Sequence, residues 1–357
     1  AMKFALSLNM ERLTPSEDMR DVIQHALTMV QIAEDGGFHS AWSAEHHTIE
    51  LTIGPNPLSL LIHWGQYAKK IRLGTAILVA PYWHPIRAAG EAALTDLYID
   101  GRLEFGIGRG AFQWEFDRLA GGMPQEEGGA QMREMLPAIL ELWKGDYTHN
   151  GDIWQFPKAT SVPKPLQQPH PPVWVAARDP ASFDFSMKMG ADIMSTPLSR
   201  PFSEVETYAE RLATAVQENP GVPRPRWCVL RRAFVHETED RADVPVNASI
   251  DYGRRFENMF GTGGTVDNGF PELIPLDKVR DGKNYDPAVI RDAMIFGTPD
   301  QVIEKCELYE DVGVDILMLG VNFGLDPADE RKSLELFIKE VAPHFAKREA
   351  EKSKAAQ

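Results

Sequence analysis

"IRLGTAILVAPYWHPIRAAGEAALTDLYIDGRLEFGIGRG", residues 71–110, decides the fold. An apolar run rich in β-formers (71–78) leads through a Pro-bounded turn into an Ala-rich amphipathic stretch (86–99), and after Asp-Gly a second apolar run (103–108) begins. Runs this short, bounded by Gly, Pro or Asp, read as strands, and the longer stretch between them reads as a helix. Two strands joined by a helical crossover make a parallel unit.

Working outward, the same alternation recurs. Runs at 4–8, 40–45, 71–78, 103–108, 172–177, 192–196, 227–235 and 315–321 are strand candidates, and helical patterns fall at 18–35, 57–69, 86–99, 126–143, 182–189, 202–217, 299–312 and 327–346. Several helices open on cap signals such as "TPSED" and "TPDQ". An α/β chain of this order fits a (β/α)8 TIM barrel. An open doubly wound sheet has the same local alternation, but the count of strand candidates favours the barrel. The expected organisation is one barrel domain over 1–347 followed by a charged tail, 348–357. Two stretches break the repeat: 144–171, Pro- and Gly-rich with an expected hairpin, and 236–296, which holds "FGTGGTVDNGFP". Long loops on a barrel commonly touch substrate, so an active-site lid is expected over about 255–295.

Composition narrows the partners. The chain has 357 residues and a formal net charge of −15, which opposes any general attraction to nucleic acid or to anionic membrane. Two cysteines, Cys228 and Cys306, form neither a disulfide framework nor a zinc pattern, and a reducing cytoplasm fits. The opening residues read as neither a signal peptide nor a membrane span. Small molecules and other protein chains are the expected partners.

"SAEHHTIELTIGPNP" (43–57) places Glu45, His46 and His47 at the end of the second strand, on the face where barrels build their chemistry. Neighbouring residues on an extended chain point to opposite sides, so the two imidazoles do not readily share one ion, and no metal site is expected. The remaining readings are a packed structural histidine or a catalytic group. "LEFGIGRGAFQWEF" (103–116) nearly satisfies a dinucleotide fingerprint, but it lies far from the first strand and is followed by aromatics. The better reading uses the glycines for close backbone approach and Arg109 for a phosphate. "AARDPAS" (176–182) puts Arg178, Asp179 and Ser182 at a helix start, where backbone amides favour an anion. Trp42, Phe112, Trp114, Trp154 and Phe256 are candidates for an apolar pocket, although core or loop packing is the plainer reading of each one taken singly. Arg231, Arg232, Arg254 and Arg255 suit an anionic substrate, against the plainer reading of solvated surface.

Taken in order, "EHH" with "GPNP", "GTAILVAPYWHPIR", "DGRLEFGIGRG", "KPLQQPHPPVWVAA" and "FGTPDQVIEKCELYEDVGVDILML" resemble the bacterial-luciferase-like flavin-dependent monooxygenases through nearly the whole chain. The resemblance implies a barrel that binds FMN as FMNH2, delivered by a separate NAD(P)H-dependent flavin reductase. O2 is then the co-substrate, and a small organic substrate is oxidised through a flavin–oxygen adduct. It implies His46 as the catalytic histidine with His47 beside it. Arg109 and Gly110 would lie at the flavin phosphate, with Ala177, Arg178, Asp179 and Ser182 on its other side. Ala76 and Ile77 would lie under the flavin ring, where the family often has a non-prolyl cis peptide, and Glu45 and Glu115 would support the site. A homodimer is implied, with the helices after the first and second strands as interface candidates. Two departures stand out. Gly108 occupies the place of the light-emitting subunit's reactive cysteine, and Arg178-Asp179 replaces its Glu-Ser pair. Oxygenation without light emission is therefore the leading expectation. The alternatives are an oxidoreductase using a deazaflavin as hydride carrier, a non-catalytic flavin-binding homologue or partner subunit, and, more remotely, a metal-dependent hydrolase.

Overall fold

The computed structural model describes residues 1–261 and 263–357. Strands β1 (Lys3–Ser7), β2 (Ser40–Ser43), β3 (Arg72–Thr75), β4 (Leu103–Gly108), β5 (Val173–Ala176), β6 (Asp192–Ser195), β7 (Trp227–Val235) and β8 (Ile316–Gly320) follow the eight apolar runs of the sequence. Each pairs in parallel with the next, and β8 returns to β1 with Lys3 opposite Ile316 and Ser7 opposite Gly320. The sheet is therefore closed into a barrel, and the open-sheet alternative falls away.

The opening stretch behaves differently at one point. The third run does not continue as a single strand: pairing with β2 ends at Thr75, and Leu78–Val79 instead pair with Ile107 and Gly108 of β4. Ala76 and Ile77 lie at that break, and the peptide between them is cis. A further short strand, Ile295–Gly297, lies against Ala233–Val235 of β7 and is too brief to show a period in the sequence.

Helix α1 (Met19–Asp35) is capped by Asp18, and α2 (Pro57–Tyr67) by Asn56, whose side chain accepts from the Leu58 N–H. His84 caps α3 (Pro85–Tyr98) through a bond from the Ile86 N–H, while α4 (Gln113–Leu119), a helix absent from the sequence reading, follows β4 directly. Beyond it run α5 (Gly128–Lys144), α6 (Pro180–Lys188) and α7 (Phe202–Glu218). The first long insertion forms the expected hairpin, Tyr147–Asn150 against Gln155–Ala159. The second contains real helices, α8 (Asp243–Phe256) and α9 (Pro287–Ala293). Pro245 and Gly253 obscure α8 in the sequence, yet Val246, Ser249 and Tyr252 are buried on one face at helical spacing. The chain closes with α10 (Pro299–Val312), α11 (Pro327–Leu336), one π-turn and α12 (Ala342–Ala355). The interruption coincides with Pro343, whose missing N–H breaks the ladder.

Alternation along the strands sorts two cores. Outward-facing Leu6, Leu73, Phe105, Val175, Val229 and Leu317 pack under the helices, whereas Ala5, Trp42, Trp174, Met194, Cys228 and Met318 fill the barrel. Trp42 and Trp174 meet edge to face with centroids 5.5 Å apart. Beneath them the buried Glu104 carboxylate accepts from Arg72 Nε at 2.7 Å and from Trp174 Nε1 at 2.7 Å. The interior is thus plugged, and chemistry is left to the C-terminal strand ends.

Candidate active site

A cleft of about 380 Å3 opens there, and each strand end contributes according to its register. Asn9 follows β1, Ala44 and His46 follow β2, Ala76 follows β3, Arg232 ends the inward face of β7 and Asn322 follows β8. The second insertion roofs the cleft with Tyr252 and Phe256 of α8 and with Phe260.

His46 and His47 part, as an extended backbone requires. His46 Nδ1 lies 3.1 Å from Glu115 Oε1, while its ring borders Phe112 and Phe256 at 5.3 and 5.6 Å between centroids. Where Nδ1 donates to this oxygen, Nε2 is the nitrogen left over, and it has no protein partner among the described residues. His47 turns to the other side. Its Nε2 lies 2.6 Å from Glu45 Oε2, its ring meets Tyr82 edge-on, and it does not line the cleft. Glu45 is itself fixed by the Val79 N–H at 2.9 Å and by Trp83 Nε1 at 2.8 Å. Among the described residues no group of three or more His, Cys, Asp or Glu side chains could hold a metal ion.

The phosphate candidates gather on the neighbouring strands. Ile107 is opposite Val175, so Arg109 and Gly110 leave β4 level with the start of the Ala177–Ser182 segment that leaves β5. Arg109 is exposed, has no acidic partner among the described residues and only touches Gln125 Oε1 at 3.3 Å. Gly110 turns the chain in the left-handed region at φ 79°, which L side chains resist. A Cβ on Gly108 would come within 1.9 Å of Ile77 Cδ1, so this glycine makes room for Ile77 rather than for a ligand. Ala177 is buried and its carbonyl accepts from Ser195 Oγ at 2.7 Å. Arg178 projects into solvent and offers its carbonyl to Arg211. Asp179 caps α6, accepting from the Ser182 N–H at 3.0 Å and from the Ser182 hydroxyl at 2.9 Å. Burial pushes this carboxyl up, but those hydrogen bonds outweigh it and hold the acid below its usual range. A phosphate at this helix start would therefore have to displace Asp179.

Of the pocket aromatics named from sequence, Phe112 and Phe256 line the cleft. Trp42 is sealed inside the barrel, Trp114 donates to Thr48 Oγ1 at 2.8 Å, and Trp154 packs on the outer core. Arg254 and Arg255 point elsewhere, to the carbonyls of Ile274 and Pro271. Sequence reasoning missed Asn9, Asn322, Tyr252 and Phe260. The two asparagines had a usable signal, since each stands just past a strand end; Tyr252 and Phe260 had none.

With this geometry in view, comparison with known proteins is specific. Residues 2–316 match the luciferase-like monooxygenase family, and the chain belongs to that family. The oxygenase component of the flavin-dependent trigonelline monooxygenase of Acinetobacter baylyi is 37% identical over 354 residues, covering 99% of this chain and 98% of its own. The FMNH2-dependent dimethylsulfone monooxygenase of Pseudomonas putida is 27% identical, covering 84% of this chain and 83% of its own. Among solved structures, the monooxygenase RslO1 of Streptomyces bottropensis superposes with a TM-score of 0.81 at 23% identity, covering 96% of this chain and all of that one. This last likeness concerns the fold. The chain is a flavin-dependent monooxygenase of the luciferase-like type.

Proposed function

We propose that the chain is the oxygenase component of a two-component system, taking FMNH2 from a separate flavin reductase and using O2 to oxidise a small organic substrate. The observation that carries this reading is His46, whose Nε2 has no protein partner among the described residues at the edge of an aromatic cleft while Glu115 fixes its other nitrogen. The names of the trigonelline and dimethylsulfone relatives support the cofactor class, the separate reductase and the size of the substrate.

The residues present fit FMN. Arg109 offers an uncommitted guanidinium at the end of β4, suited to a phosphate, and Gly110 brings backbone close beside it. Ala177 and Arg178 flank the same place just past β5, and Ala76 lines the cleft with Ile77 beside it. Reduced FMN, when bound, supplies the electron pair that activates oxygen. The protein's part is to hold it, to exclude water with Phe112, Phe256 and Phe260, and to hold or move a proton at His46 Nε2. His47 serves this site as a positioning residue, anchored by Glu45.

The reading extends to assembly and place. Tyr67 at the end of α2 and Leu94, Leu97 and Tyr98 on α3 are exposed apolar side chains, which supports a homodimer through α2 and α3, in place of the α1 and α2 pair expected from the sequence. Cys228 and Cys306 are buried free thiols, in keeping with a cytoplasmic enzyme, and no helix among the described residues is long and apolar enough to cross a membrane.

The test is an anaerobic titration of the flavin-free protein with FMNH2 and, separately, with a reduced deazaflavin. Saturable binding of FMNH2 alone is expected. Binding of only the deazaflavin would overturn the oxygenase reading.

A further inference from the structure

The cleft is more basic than the chain that builds it. The sequence carries a net charge of −15, yet the charged side chains lining the cleft are Arg231, Arg232 and Arg280 against a single Glu257. Two of the three arginines have structural duties. Arg231 donates to Tyr309 Oη at 2.9 Å and to the carbonyls of Leu198 and Arg200 at 2.8 and 2.7 Å, tying the loop after β6 to α10. Arg280 pairs with Glu257 at 3.2 Å, and Tyr285 donates to the same carboxylate at 2.7 Å.

Arg232 has no such partner. No carboxylate pairs with it among the described residues, and its one hydrogen bond, to the Ser249 carbonyl, is stretched to 3.5 Å. Its guanidinium is held between the rings of Tyr252 and Phe323, each 5.3 Å away, a placement that fixes its plane without using its donors. Glu11 is the acid whose field reaches it. Burial and the nearby Glu330 push the Glu11 carboxyl up to about 8, so at neutral pH Glu11 does not neutralise the arginine.

A half-buried cation without a counter-charge carries part of the cost of leaving water, and a ligand that supplies the charge recovers it. The same cleft has an aromatic side. Phe112 meets Phe256 at 5.2 Å and Phe260 at 5.0 Å, both edge to face, and the His46 ring closes the set. The cleft therefore offers an aromatic wall for a flat ring and, on the same lining, a guanidinium fork for a carboxylate.

We propose that the substrate is a small planar organic anion, an aromatic or heteroaromatic carboxylate, whose carboxylate is held by Arg232 while its ring lies among Phe112, Phe256 and Phe260 next to His46. The inference rests on the reading of this cleft as the substrate side of the flavin site.

The experiment is calorimetric titration of the FMN-loaded protein with benzoate and nicotinate, each compared with its neutral amide. At least one carboxylate is expected to bind about 30-fold or more tightly than its amide, and Arg232→Gln should erase that preference while FMN affinity stays within about twofold. Equal binding of acid and amide, no binding of either acid up to about 10 mM, or a preference that survives in Arg232→Gln would overturn the proposal. Should the variant fail to fold, the wild-type comparison still decides, and Arg232→Lys, which keeps the charge and loses the fork, should retain part of the preference. If the protein does not take up FMN at all, the oxygenase reading fails, and the acid–amide comparison on the flavin-free chain still tests Arg232 by itself.

Discussion

Glu115 and His46 lie 69 positions apart in sequence and 3.1 Å apart in space, Oε1 to Nδ1. The second oxygen of the same carboxylate accepts the His47 backbone N–H at 2.7 Å, so one buried side chain from α4 fixes both the tautomer of His46 and the loop that carries it. Such a partner sets which ring nitrogen is presented to a ligand.

Replacing Glu115 by Gln should therefore act through His46. The amide cannot accept at both former oxygen positions, and one of the two bonds is lost or the imidazole changes tautomer. Product formed per FMNH2 consumed is expected to fall about 10- to 100-fold, with FMNH2 affinity within about twofold of the parent. A variant with an unchanged yield and pH profile would remove Glu115 from the chemistry.

Arg109→Ala addresses the other end of the site. The guanidinium is exposed and contributes no ion pair to the fold among the described residues, so the melting temperature of the flavin-free protein should hold. FMN affinity should drop about 10- to 100-fold, the ordinary range for losing a charge-assisted phosphate contact. Thermal unfolding reads the first outcome and the anaerobic titration the second, and unchanged affinity would place the phosphate elsewhere.

The sequence made these residues legible for a physical reason. His46 and Arg109 stand immediately past apolar runs, and a barrel exposes chemistry at that point of every strand, so position alone marked them. The same rule would have found Asn9 and Asn322. Tyr252 and Phe260 were invisible because their place depends on how the insertion after β7 folds back, and α8 hides its period behind Pro245 and Gly253. The capping role of Asp179 could be read from "DPAS", but whether it leaves Ser182 free for a phosphate could not, because that depends on side-chain geometry.

Deep in the barrel, Glu104 is 1% exposed and is shared by Arg72 at 2.7 Å, Trp174 Nε1 at 2.7 Å and Arg226 at 3.4 Å. Glu104→Ala would leave a buried indole N–H unpaired and two cations facing each other. The expected loss is about 3 kcal/mol, allowing for the partial exposure of both arginines. Glu104→Gln, which can still accept the Trp174 bond, should lose less. Thermal unfolding of the two variants checks the order, and a reversal would mean that the charge is not what matters there.

Glu11 gives the protein a pH dependence with a definite sign. Its Oε1 accepts the Gly324 N–H at 2.9 Å, whereas Oε2 is buried with no partner among the described residues. Burial, reinforced by Glu330, raises the carboxyl from 4.5 to about 8. Glu330 is also raised by burial, and its neighbour His25, at 2.6 Å, is lowered by burial, so burial disfavours the charged form of both partners in that contact. Between about pH 4.5 and pH 8 the folded chain keeps the Glu11 proton that the unfolded chain releases. The stability contributed by this group is therefore present in full below the lower value, declines as pH rises, and is gone above the upper one. Other groups slope the opposite way, among them His39, lowered to about 4 by burial. The difference between Glu11→Gln and the parent cancels them. The variant should match the parent near pH 5 and exceed it by about 1–3 kcal/mol near pH 8.5, where the parent must hold a buried carboxylate with one oxygen unpaired. Melting temperatures of both proteins from pH 5 to pH 9 measure that difference directly, and two parallel curves would show that Glu11 is already ionised in the folded protein, leaving Arg232 with a counter-charge.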